Sequence, residues 1–218
     1  MKKKTFAKYL LLAAAPAGLA VGAAVAYAEY RKQRLDKESS SLWELLALKP
    51  GSRVADIGAG AGDLTSLMAS RIGPTGRIYA VEADAGKLRK LQRRKQRAGW
   101  SNVEVIAASP DSCNLPENSC DAIYMRGVYH HLTEPASMDA SLLRALRPGG
   151  TLAVIDFAPR LLLAPWTPKG IPSDRGGHGI RRETTTAELE QAGFDAVRAL
   201  ETWPGGCYCV LFQKPIAA

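Results

Sequence analysis

Three glycines at alternate positions follow a short apolar run in Val54-Ala55-Asp56-Ile57-Gly58-Ala59-Gly60-Ala61-Gly62-Asp63. Glycine spares a turn the Cβ that would block close contact between the backbone and a nucleotide-like ligand. Glu82 lies twenty residues past Gly62, where an acid accepts protons from both ribose hydroxyls in a dinucleotide-type half-fold. The spacing is GxGxG rather than GxGxxG, and Asp56 stands just before the loop. A carboxylate there repels a pyrophosphate and attracts a cation.

The ligand these residues describe is an adenosine compound with positive charge and no phosphate, and S-adenosylmethionine fits. A second group of residues has proton-handling chemistry. Arg126-Gly127-Val128-Tyr129-His130-His131 follows an apolar stretch, and His178 lies in a Gly-bearing segment, Arg175-Gly-Gly-His-Gly-Ile180. Methyl transfer from a sulfonium needs no acid for its leaving group, so orientation supplies much of the rate. A base helps when the acceptor is a hydroxyl or a protonated amine. Tyr129, His130 and His178 are the candidates; the competing reading is a capping histidine, a packed tyrosine and a solvated loop histidine.

The elements that must position these groups alternate in type. Short apolar runs predict strands at Arg53–Ile57, Arg77–Val81, Val103–Ala107, Asp121–Met125, Thr151–Phe157, Ala196–Thr202 and Tyr208–Gln213. Helical patterns fall at Leu42–Leu48, Leu64–Arg71, Ala85–Ala98, Ser137–Leu146 and Thr186–Ala192, with stops at Lys49-Pro50-Gly51 and Pro148-Gly149-Gly150. Such alternation is the mark of an α/β fold with a mainly parallel sheet. Ligands of open sheets of this kind sit outside the carboxyl ends of the strands.

Taken together, Val54-Ala-Asp-Ile-Gly-Ala-Gly-Ala-Gly62, Tyr79-Ala-Val-Glu82, Leu115-Pro-Glu-Asn-Ser-Cys-Asp121 and Leu146-Arg-Pro-Gly-Gly-Thr-Leu-Ala-Val-Ile-Asp156 resemble the class I S-adenosylmethionine-dependent methyltransferases, of the broad type that includes the quinone-biosynthesis enzymes. The likeness runs from about Ser39 to Pro215. It implies a Rossmann-like methyltransferase fold, a seven-stranded sheet in the order 3-2-1-4-5-7-6 with the last strand antiparallel and helices on both faces. It also implies that Asp56, Gly58, Ala59, Gly60 and Gly62 line the methionine and ribose part of the cofactor, that Glu82 holds the ribose, and that Arg126 faces the same crevice. Relatives often carry an acid directly after the third strand for the adenine amino group. Here Ala107-Ala108-Ser109-Pro110-Asp111 follows, so Asp111 is either that acid or part of a Ser-Pro-Asp-Ser turn.

Composition bounds the rest. The 218 residues, 46% hydrophobic and 23% charged, suit one folded domain with an appendage. Lys2, Lys3, Lys4 and Lys8 precede residue 29 without an acid, leaving residues 29–218 only +4 of the formal +8. That balance, without interleaved aromatics, predicts no nucleic-acid partner, and the basic run Lys87–Arg97 reads as a solvated helix face or a surface for anionic headgroups. Tyr9–Ala28 is uncharged between basic flanks. Residues 1–28 therefore read as a membrane anchor or as a signal peptide cleaved near Ala28, residues 29–38 as a charged linker, and residues 39–218 as the catalytic domain. Cys113, Cys120, Cys207 and Cys209 form no CxxC and have no histidine at ligand spacing, so no metal is expected; packing as small apolar residues is favoured over pairing. The apolar run Leu161–Trp166 covers an acceptor, dips into a bilayer or packs on the sheet. The expected function is methyl transfer to a small-molecule or lipidic acceptor by a membrane-anchored domain on the cytosolic side; an exported enzyme or an inactive cofactor-binding module are the alternatives.

Overall fold

A computed structural model describes residues 3–160, 167, 169–171 and 178–216, with side chains from residue 22 onward. The chain divides into two compact units, Met1–Glu38 and Ser39–Ala218. The first contains most of helix α1 (Lys3–Leu45). The segment expected to be a charged linker is thus helical: Glu29 to Glu38 holds no glycine or proline, and acids and bases recur three and four residues apart. The helix also ends earlier than Lys49-Pro50-Gly51. Ala47 turns left-handed (φ +48°) and the Leu48 N–H reaches back to the Trp43 carbonyl at 3.0 Å, the six-to-one closure that terminates a helix. Among the described residues no helix is long and apolar enough to cross a membrane. Most of the Tyr9–Ala28 run, and Leu161–Trp166, lie outside the residues whose side chains are described.

In the second unit, seven strands form one sheet in the order β3-β2-β1-β4-β5-β7-β6, as expected from the sequence. They are β1 (Arg53–Ile57), β2 (Arg77–Glu82), β3 (Val103–Ala107), β4 (Cys120–Arg126), β5 (Leu146–Asp156), β6 (Asp195–Trp203) and β7 (Cys207–Gln213). Strands β1 to β5 pair in parallel, and β7 runs antiparallel to both β5 and β6. Burial on both faces explains the unbroken apolar runs: Val54, Ala55, Ile78, Ala80, Val81, Ile123, Met125, Leu152, Val154 and Ile155 are all buried. Between them come α2 (Asp63–Ile72), α3 (Ala85–Ala98), α4 (Pro135–Ala145) and α5 (Arg182–Gln191), with a 3₁₀ turn at Tyr129–His131.

Two further boundaries depart from expectation. Pro148-Gly149-Gly150, expected to be a helix stop, lies within β5, where the six residues from Leu146 to Thr151 oppose three on β4, Cys120 to Ala122. Lys214 ties down the bulge by exchanging backbone hydrogen bonds with Gly149 and Gly150 at 2.9 Å. Helix α5 begins at Arg182, four residues before the apolar periodicity does.

Order at the glycine loop depends on α2, which starts where the loop ends. Asn102, just before β3, donates through Nδ2 to the Ala69 and Gly73 carbonyls at the far end of α2, both at 2.8 Å. Each carbonyl also accepts one long backbone bond, from Gly73 at 3.2 Å and from Gly76 at 3.3 Å, so the amide supplies a second and shorter one where the helix ends. Replacement Asn102→Ala removes both bonds and is expected to lower stability by about 1–3 kcal/mol, measured as a shifted denaturant midpoint with unchanged slope.

Candidate functional site

Side chains and backbone at the carboxyl ends of β1, β2 and β4 enclose a cavity of about 510 Å³, within the range of ligand pockets. Ile57 and Gly58 contribute from β1 and its loop, Val81, Glu82 and Asp84 from β2, Ala108, Ser109 and Pro110 from the turn after β3, and Arg126, Gly127, Val128 and His131 from beyond β4. It lies at the switch between β2–β1 and β4, where an open sheet leaves a crevice.

Glu82 is the polar centre of this cavity and is buried. Its Oε2 accepts the Gly60 N–H at 2.8 Å and its Oε1 the Asp84 N–H at 2.9 Å. A carboxylate has about four acceptor positions, so ligand hydroxyls can still be received. The other loop amides are also engaged: Gly58 and Ala59 donate to the Val81 carbonyl at 2.8 and 3.0 Å, and Gly62 donates to Ala59 at 2.8 Å. A phosphate-binding loop points such N–H groups at its ligand, and this loop turns them inward. Arg94 of α3 braces it from outside, donating to the Ala61 carbonyl at 2.8 Å and to Asp63 at 2.7 Å. That residue of the basic run is therefore a structural strut, while Lys87 lines the cavity.

Two of the glycines are required by packing as well as by their left-handed backbone. A Cβ on Gly58 (φ +74°) would lie 2.3 Å from Val128, and one on Gly62 (φ +78°) 2.6 Å from Leu91. At Gly60 (φ +58°) the same position meets only its own loop, at 3.9 Å, leaving room for a ligand. Ala59, Gly60, Gly62 and Asp56 are not themselves among the cavity-lining residues.

Asp56 sits beneath the loop, buried, with Thr65 Oγ1 donating to its Oδ2 at 2.6 Å. Burial is the main cause that pushes its pKa up to about 6, against the hydrogen bonds from Thr65 and Tyr124 and with Glu82 adding to the rise; Arg126 opposes it. Above that pH it places a negative charge under the loop. Asp111 lies elsewhere. It is exposed and accepts the Ser109 hydroxyl at 2.6 Å, a bond that lowers its pKa. The structure places it in the turn, and Ser109 and Pro110 reach the cavity instead.

The 3₁₀ turn after β4 sends three successive side chains in three directions, as expected at three residues per turn. Tyr129 points into the core, where its hydroxyl donates to Asp139 Oδ2 at 2.8 Å and lies 2.9 Å from Glu188 Oε2. Burial and these two carboxylates drive its pKa far up, so it stays a phenol and does not face the cavity. His130 turns toward β5. Its Nδ1 lies 2.8 and 3.0 Å from the two oxygens of Asp156, which also accepts the His130 and Phe157 backbone N–H groups at 3.1 and 2.9 Å. His131 lines the cavity. His178 joins the other two, its ring centroid 4.7 Å from His130 and 5.3 Å from His131. It is held there because Arg160 donates to its carbonyl at 3.1 Å and Ile180 to that of Phe157 at 2.9 Å. Gly179 between them (φ +111°) leaves no room for a Cβ, which would lie 2.8 Å from the Phe157 carbonyl oxygen. Desolvation, then the neighbouring imidazoles, hold His131 down at about 4 and lower His178, so both rings are neutral at pH 7.

Of the residues singled out from sequence, then, Gly58, Glu82 and Arg126 line the cavity, Asp56, Ala59, Gly60 and Gly62 build the floor and loop behind it, His130 and His178 form a cluster at its edge, and Tyr129 and Asp111 lie apart. His131 and Asp156 were missed. The signal for them was an adjacent His-His pair after β4 and an acid ending the neighbouring strand β5.

Comparison with known proteins agrees with this geometry. Residues 55–154 match the family described as "Methyltransferase domain". The ubiquinone/menaquinone biosynthesis C-methyltransferase UbiE of Ectopseudomonas mendocina is 34% identical over 116 residues, 53% of this chain and 45% of that protein. UbiE of Pseudomonas aeruginosa is 29% identical over 177 residues, covering 71% and 69%. A crystal structure of a SAM-dependent methyltransferase from Aquifex aeolicus superposes with a TM-score of 0.68 at 26% identity, covering 81% of this chain and 89% of that one. The chain carries a methyltransferase domain of the class I S-adenosylmethionine-dependent type over residues 55–154. It spans about half the length of the first of these curated relatives. S-adenosylmethionine is the family's cofactor, and the residues present fit it: a buried carboxylate for hydroxyls, an acid beneath a loop whose Gly58, Ala59, Gly60 and Gly62 amides are already engaged, and open space over Gly60.

Cys113, Cys120 and Cys209 are buried, and burial raises the Cys120 thiol to about 11.

Two tests follow from these environments. An acid whose pKa is raised on folding contributes most below its unfolded value, and that contribution is lost as pH rises through the folded value. From about pH 4 to about pH 6, wild-type protein should therefore lose on the order of 3 kcal/mol relative to Asp56→Asn, read by denaturant unfolding at each pH. Tyr129→Phe should lower stability by about 1–3 kcal/mol and leave cofactor affinity within twofold in a calorimetric titration.

Proposed function

We propose that this chain transfers the methyl group of S-adenosylmethionine to a small acceptor carrying a hydroxyl beside the carbon or oxygen to be methylated, of the quinol or phenol class. The observation that carries the reading is one cavity lined by both Glu82 and His131, the latter beside His130 and His178. Similarity to the UbiE proteins supports the acceptor class. When bound, the cofactor supplies an electrophilic methyl group on a sulfonium.

The residues of this chain then do three things. Glu82, held by the Gly60 and Asp84 amides, receives the ribose hydroxyls and sets the depth at which the cofactor sits. Asp56, ionised above about pH 6, favours a cationic ligand over a neutral or anionic one. The imidazole cluster, which reaches the cavity through His131, holds the acceptor hydroxyl and fixes the nucleophile in line, where orientation contributes most. Ser109 and Pro110 border the place where adenine would lie.

For placement, we propose the cytosolic side of a membrane, a reading supported by the uncharged Tyr9–Ala28 run and by the site of donor synthesis.

Calorimetric titration of the full chain with S-adenosylmethionine and S-adenosylhomocysteine tests the reading. Both should bind, Glu82→Ala should weaken each more than tenfold, and His131→Ala should leave cofactor affinity unchanged while reducing turnover of a demethylated quinol at least tenfold. Equal cofactor affinity in Glu82→Ala would remove Glu82 from the site, and absence of turnover with quinols and phenols alike would remove the acceptor assignment.

A further inference from the structure

Three imidazoles meet although the fold does not need them for each other's hydrogen bonds. One ring nitrogen from each of His130, His131 and His178 lies within 4.8 Å of one from each of the others. Ring centroids of His130 and His131 are 4.0 Å apart. Two nitrogens in the cluster, His130 Nε2 and His178 Nδ1, are buried with no hydrogen-bond partner, and His130 itself is only 2% exposed. Leaving such atoms unsatisfied is costly, and two of them in one cluster ask for a shared occupant. The remaining nitrogen of His130 is held by Asp156 at 2.8 Å, and a carboxylate on the far side of an imidazole is the arrangement that orients metal-bound histidines.

We infer that His130, His131 and His178 form a three-imidazole site for a divalent transition-metal ion of the zinc class. Three nitrogen ligands and one open position are the composition of a reactive zinc site, whereas four closed ligands make a structural one. Metal–nitrogen bonds of about 2.0–2.1 Å in tetrahedral geometry put the ligand atoms about 3.4 Å apart, so the cluster must close on the ion. The exposed side chain of His131 can swing to do so, and His178 by a change of rotamer on its fixed backbone. His130, fixed by Asp156, is the anchor. Because His131 also lines the cofactor cavity, the open position faces the space assigned to the acceptor and would take an acceptor oxygen. The sequence reading looked for ligands only around the cysteines and expected no metal; these ligands come from two segments 47 residues apart.

The inference does not depend on methyl transfer, since metal binding is read without cofactor or acceptor. Untagged full chain, stripped with a chelator, is titrated with ZnCl₂ by calorimetry and with CoCl₂ by visible absorption. One ion per chain is expected, with tetrahedral cobalt bands and no thiolate charge-transfer band. Affinity should fall at least tenfold in His131→Ala and in His178→Ala, and 10–100-fold in Asp156→Asn. If Asp156→Asn does not fold, the other two variants decide, because His131 is exposed and its removal leaves the core intact. No binding at micromolar metal, a thiolate band, or equal affinity in both histidine variants would overturn the site.

Discussion

The Glu82 carboxylate joins the two turns on which the ligand crevice rests. One oxygen takes the amide of Gly60 after β1 and the other that of Asp84 after β2. A buried charge of this kind is tolerated only when its oxygens are satisfied, and here the backbone of two neighbouring loops does so. The glycine loop therefore keeps its left-handed turns in register with the end of β2. The same loop engages its Gly58, Ala59 and Gly62 amides internally, so these are not offered to a phosphate. Asp56 below and Arg94 outside reinforce one conformation, so recognition of a cationic nucleoside is prepared before any ligand arrives.

The histidine side of the cavity is built on a different principle. A 3₁₀ turn after β4 distributes Tyr129, His130 and His131 to the core, to Asp156 and to the cavity. Asp156 binds the turn through the His130 amide as well as its ring, so the last residue of β5 fixes the geometry of the segment after β4. His178 is brought in by backbone pairing beside Phe157. The cluster is thus held by two adjacent parallel strands and one return segment, a rigid setting for groups that must meet a small molecule or an ion at defined distance.

Family membership and the acceptor rest on unequal footing for a physical reason. Cofactor-side residues such as Gly58, Glu82 and Arg126 lie within the strand–loop units that relatives share, residues 55–154. His178 lies outside that span, in the return between β5 and α5, where chemistry is free to vary on a constant scaffold.

Much of the architecture followed from local pattern. Apolar runs of five to seven residues bounded by Gly, Pro and Asp marked every strand, and α3 matched its expected bounds because Asp84 caps it and Gly99 ends it. The glycine loop and Glu82 were legible because their function is carried by backbone turns at a set spacing. The pattern left Asp111 open between cavity and turn and offered Tyr129 to the cavity, because direction of a side chain is not in the pattern: one residue more or less around a turn moves a group from cavity to core. Likewise Pro148-Gly149-Gly150 reads as a stop until Lys214, 64 residues beyond Gly150, pairs with it. The meeting of His131 and His178 with the Asp156-bound His130 is decided only by tertiary structure, since it requires β4 to lie beside β5 in parallel and the chain to return past both. Sequence determined which groups were present and which backbone turns would form; packing of the sheet decided which of those groups face one another.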